Sequence, residues 1–156
     1  MRLIERALDS TLALLLPLLL AALVGLTLTN VALRYLFGAS LAWAEEAAIV
    51  LMIVIAWAGV SLLWLRDAHI GIDWLPEKLS ARGRAILMAC IDVLAIAAGA
   101  GLAYVAQGTV DVYWTLDLLA LGLPAAVKYL PVQIGAALLA LAAALRLHRR
   151  IRDLPR

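Results

Sequence analysis

Apolar residues in this chain neither alternate with polar ones nor keep to one helical stripe; they come in long blocks. The clearest is 47–65, nineteen residues without a charge, bounded by Glu45-Glu46 before it and Arg66-Asp67 after it. At a helical rise of about 1.5 Å per residue the block spans roughly 29 Å, the thickness of a bilayer's hydrocarbon core. Trp43 and Trp64 stand at its two ends, the headgroup level that tryptophan favours. Residues 11–33 form a second uncharged block. A third runs from about 85 to 110 with one acidic residue, Asp92, and a fourth opens at Pro124. The pattern predicts an all-α integral membrane protein: four transmembrane helices over about 12–35, 43–65, 85–110 and 124–146, in a single membrane domain covering 1–156.

The connections refine this layout. The turn at 38–42 is so short that helices one and two must form a tight antiparallel hairpin, with Ser40 as the expected N-cap of helix two. Residues 66–84 are the longest polar segment. In helical register Ile72, Leu75 and Leu79 fall at i, i+3 and i+7, while Arg66, His69, Asp73 and Glu77 fall on another face. This predicts an amphipathic interfacial segment between helices two and three, broken near Pro76. Residues 118–123 are an apolar loop too short to span. Charged residues before the first block also fit a signal peptide, but signal h-regions are only about 7–15 residues long, so a retained first helix is expected.

Composition supports lipid as the main solvent. Of 156 residues 66% are hydrophobic, and the mean hydropathy is +1.01. Aromatics are few, which favours helices over an outer-membrane barrel. The single cysteine, Cys90, excludes a disulfide framework, a CxxC redox pair and a thiolate metal site within one chain. No Gly-rich phosphate loop, HExxH or GxSxG occurs, so no catalytic, cofactor-binding or metal-binding residue is assigned, and no nucleic-acid partner is expected. Charge gives the sidedness. Of thirteen Lys and Arg, only Arg34 and Lys128 fall on the side opposite the termini. The positive-inside rule therefore places both termini in the cytoplasm. The basic tail, 146–156, suits contact with anionic lipid.

Few residues are candidates for chemistry. Glu45 and Glu46 fit proton or cation handling, docking of a basic partner, or solvated capping of a helix N-terminus. Adjacent helical residues point about 100° apart, so the two cannot face the same neighbour. Arg34, across the short turn, is the obvious counter-charge. Asp92 lies some two turns into helix three. A carboxylate inside a span costs roughly 2.5–3.5 kcal/mol at mid-membrane, so it marks a functional site or a hydrogen-bonded structural pair. His69 has only His148 for company, so a hydrogen bond to Asp73 is the simpler expectation than a metal site. The small residues at 97–101 suggest a helix-packing face.

These residues together resemble a known pattern. Asn30-x-x-x-Arg34-Tyr35, Trp43-x-Glu45-Glu46, His69-Ile70-x-x-Asp73, and Leu121-x-x-Pro124 followed by Tyr129-x-Pro131-Val132-x-Ile134-Gly135 are similar to the small membrane subunit of tripartite ATP-independent periplasmic (TRAP) transporters, the DctQ-like family. The match covers about residues 5–147; Asp92 is not explained by it. The resemblance implies a non-enzymatic inner-membrane subunit. It would act as a scaffold for a large permease subunit in sodium-coupled symport, with a periplasmic substrate-binding protein delivering an organic anion such as an organic acid. Asn30, Arg34, Trp43, Glu45, Glu46, His69, Asp73 and Trp74 are then candidates for the partner interface. Independently of the resemblance, the chain lacks the pair of Gly/Pro-broken helices that builds a transport site. Two rivals stand beside it: a self-contained small exporter or proton channel using Glu45, Glu46 or Asp92, and a small membrane enzyme built on Arg34, Glu45 and Glu46.

Overall fold

The computed structural model describes residues 2–66 and 79–152. Most of the interfacial segment expected at 66–84, with His69, Asp73 and Trp74, lies outside these residues. Among the described residues four long helices follow one another: α1 (Arg2–Phe37), α2 (Ala42–Leu65), α3 (Ala81–Tyr113) and α4 (Leu130–Arg152). All four are long and apolar enough to cross a membrane, α4 together with the 3-10 turn Ala125–Lys128 that leads into it. Three hydroxyls within the blocks find partners inside their own helices. Thr27, Thr29 and Ser61 each donate to the carbonyl four residues back, at 2.8, 2.7 and 3.0 Å. Such bonding lets a polar side chain sit in an apolar medium.

The ends of the helices show where local signals won and lost. Ser80 caps α3, its Oγ accepting the Gly83 N–H at 3.2 Å, so the helix begins at Ala81, earlier than the apolar block. Ser40 does not cap α2. The N-cap is Leu41, whose own N–H donates instead to Asn30 Oδ1 at 2.9 Å, a side chain from the preceding helix. The turn needs Gly38 at φ +63, a left-handed conformation that only glycine adopts without cost. Pro124 does not open the fourth α-helix directly; the 3-10 turn intervenes, and α4 starts at Leu130.

Packing runs in a row: α1 lies on α2, α2 on α4, and α4 on α3. Glycines allow close approach at two of these contacts. A Cβ on Gly99 would meet the Ala136 carbonyl oxygen at 2.8 Å, and one on Gly135 would meet Trp57 Cβ at 2.3 Å. Of the small residues at 97–101 only Gly99 is buried. A helix turns about 100° per residue, so the packing stripe is Ala95, Gly99, Ala103 and Ala106 rather than the consecutive run. Between α1, α2 and α4 runs an open apolar groove of about 370 Å³ whose lining includes Leu12, Val54, Trp57, Pro131, Ile134 and Leu138.

Candidate functional site

The polar side chains gather at the two ends of the row. At the end that carries both termini, Asp92 is the centre. Its side chain is 0% exposed, the largest fully buried one among the described residues. Three groups converge on it from two other helices. Arg146 of α4 donates from Nε to Oδ1 at 2.6 Å, and Trp64 of α2 donates from Nε1 to the same oxygen at 3.2 Å. Arg150, one turn beyond Arg146, brings Nε within 3.1 Å of Oδ2. The Arg146 guanidinium also lies over the Trp64 ring, 4.7 Å from its centre, a cation–π arrangement. Burial of a lone carboxylate here would be prohibitive; two guanidiniums and an indole N–H offset the lost hydration.

Neighbouring contacts extend this layer to all four helices. Arg149 donates from Nη2 to the Leu65 carbonyl at 3.1 Å, satisfying one of the orphan acceptors at the end of α2. Arg66, just past α2, grips Asp9 of α1 with a fork, Nε to Oδ1 at 2.6 Å and Nη2 to Oδ2 at 3.0 Å. The fork is solvent-exposed, so it adds geometry more than stability.

The opposite end, with the two short connections, is built differently. Arg34 and Glu45 pair at 3.1 Å, but their side chains are 54% and 70% exposed. Glu46 turns away from that pair: its Oε2 accepts the Leu121 N–H at 3.0 Å, tying α2 to the loop between α3 and α4. Asn30, buried, closes the α1–α2 turn. Trp43 is exposed beside them. Below this rim Gln107 of α3 donates to Asp111 at 2.8 Å and accepts from Gln133 of α4. The Tyr113 and Tyr129 rings lie 4.6 Å apart, the second contact that holds α3 to the start of α4.

The structure thus brings Asn30, Arg34, Trp43, Glu45 and Glu46 to one rim and sets Asp92 in the other layer. Arg146, Arg150 and Trp64 as partners of Asp92 were not apparent from the sequence. The signal available was weak: two arginines at i and i+4 at the end of a span, on the same membrane side as the aspartate.

Two comparisons place the chain among known proteins. Residues 23–153 match the family described as tripartite ATP-independent periplasmic transporters, DctQ component. A Haemophilus influenzae protein named as a TRAP transporter small permease is 26% identical over 133 residues, covering 85% of this chain and 81% of that protein.

Proposed function

The chain belongs to the DctQ family of TRAP transporters, multi-pass membrane transport proteins rather than enzymes, and from that membership we propose that it is the scaffold subunit of a three-part uptake system. In this reading it steadies a large permease subunit that holds the substrate and sodium sites, and a periplasmic binding protein delivers an organic anion. Both termini face the cytoplasm, and the protein sits in the bacterial inner membrane.

One observation carries the scaffold reading over the exporter reading. The carboxylate set within the spans, Asp92, is engaged by Trp64, Arg146 and Arg150 from two other helices. A proton or cation carrier needs a carboxylate that can release its partner and meet water; this one holds three helices together. Glu46, the nearest rival, is bonded to a backbone amide.

The test is reconstitution. Liposomes containing this chain alone should take up no organic anion in a sodium gradient. Adding the large permease and the binding protein should restore sodium-dependent uptake. Uptake by the isolated chain would sink the scaffold reading in favour of a self-contained carrier.

A further inference from the structure

The loop between α3 and α4 is short, apolar and internally bonded. Leu118 donates its N–H to the Leu123 carbonyl at 2.8 Å, Gly122 to Leu118 at 3.0 Å, and Ala125 to Leu116 at 2.6 Å. Gly122 takes φ +61 to close the turn. The Leu121 N–H is met by the Glu46 carboxylate from α2. Tight turns in water carry such bonds as well, but there water can take the place of any that is missing. Backbone placed in an apolar medium must be satisfied from within the protein.

Its side chains point the same way. Leu116, Leu119 and Leu123 are exposed, and Leu119, at the tip, is fully exposed. Their depth is fixed by Glu46, the residue immediately before the uncharged block 47–65. A 3.0 Å bond from that carboxylate holds the Leu121 amide at the edge of the hydrocarbon layer. Trp114 flanks the loop, and Trp43 and Tyr35 are exposed at the same end, where interfacial aromatics belong. Asp117, exposed within the loop, limits the depth to a shallow one. The leucines therefore continue the lipid-facing surface of the four helices.

We propose that loop 116–123 is seated in the adjacent lipid leaflet, with Leu119 at the boundary between headgroups and acyl chains, and that Glu46 is the latch that holds it there. The occupant of this apolar patch is lipid, not protein. A bimane probe at Leu119→Cys, in a Cys90→Ser background, tests it in the full-length chain reconstituted in phosphatidylcholine–phosphatidylglycerol vesicles. Leu119 is fully exposed, so its replacement disturbs no packing; Leu123→Cys is the second site. The expected result is a blue-shifted emission, quenched by lipid carrying a shallow doxyl label and spared by aqueous iodide. Glu46→Leu should bring back iodide quenching. Iodide quenching without doxyl quenching in the parent would overturn the seating, and so would shielding from iodide that arises only when the large membrane subunit is added. Persistent shielding in Glu46→Leu would overturn the latch.

Discussion

The two ends of this molecule use the same kinds of side chain to opposite effect. At the terminal end, Asp92 and Arg146 are sealed between helices, with Arg150 half-buried beside them. At the loop end, Arg34 and Glu45 pair at a similar distance in the open. Distance does not separate the two pairs; burial does. In water an ion pair gains little, because hydration competes with the partner. In a dry site each charge depends on its partner, so the pair becomes obligatory even where it adds no net stability over an apolar core. Ion pairing at Asp92 therefore ties α3 to α4, with α2 joined to it through the Trp64 indole N–H, whereas the α1–α2 hairpin is closed at its turn by the short loop and Asn30.

The strongest way to break the comparison is Asp92→Ala. It removes the buried acceptor of Arg146 and of the Trp64 indole N–H, and the counter-charge beside Arg150, and the expected cost is about 3–5 kcal/mol. Thermal unfolding of the detergent-solubilised chain should show a large loss of stability or no recoverable folded protein. The double change Asp92→Leu with Arg146→Met removes a charge of each sign and should recover part of the loss. A single variant as stable as the parent would mean that Asp92 is solvated in the membrane.

Next in size is the packing that brings the helices within reach of these charges. Gly135→Ala forces a Cβ to within 2.3 Å of Trp57 unless the backbone moves. Overpacking of that kind costs typically 1–3 kcal/mol, read as a lower unfolding temperature. Gly101→Ala is the control, since a Cβ there meets nothing within 4 Å and the change should leave stability equal or slightly raised.

How far the sequence could foretell this depends on how far apart the interacting residues lie along the chain. Four helices were legible because a membrane span is written in consecutive residues, such as 47–65. A capping signal is also local, yet it misled at Ser40: α2 has Leu41 as N-cap with no side-chain cap, and Asn30 from the neighbouring helix accepts the Leu41 N–H. The pairing of Asp92 with Trp64 and Arg146 joins residues 28 and 54 positions apart, and Glu46 with Leu121 joins residues 75 apart. Such pairs depend on helix rotation and tilt, which a run of Leu and Ala does not specify. The row at 97–101 was legible only in part for the same reason: composition marked the right turn of α3, but only rotation decides that Gly99 faces α4.

An effect of similar size but confined to the loop is expected at Glu46, which sits between the two extremes. Glu46→Gln keeps a carbonyl oxygen able to accept the Leu121 N–H, so its effect should be slight. Glu46→Leu leaves that amide without its acceptor, at a cost of about 1–3 kcal/mol. Amide exchange at Leu121, read by mass spectrometry of the 114–124 peptide, should speed up in Glu46→Leu and stay near the parent rate in Glu46→Gln. Equal rates in all three would show that the bond does not protect the loop.

The smallest effect in the isolated chain belongs to Arg34 and Glu45, and it is also the most informative about partners. Both side chains are more than half exposed, so Glu45→Gln or Arg34→Ala should cost about 0–1 kcal/mol, and less as salt is added, because screening already weakens an exposed pair. The assembled transporter can change that sign of unimportance. If the large subunit covers this rim, the same pair becomes desolvated, and removing one member leaves the other buried against the partner. Recovery of the complex by affinity purification would then fall strongly in each single variant, while unfolding of the isolated chain hardly moved. The charge swap, Arg34→Glu with Glu45→Arg, should restore part of the recovery, because it keeps the pair and changes only its direction. Normal recovery in both single variants would leave Arg34 and Glu45 as solvated ends of their helices, and the partner surface would have to lie elsewhere on the row.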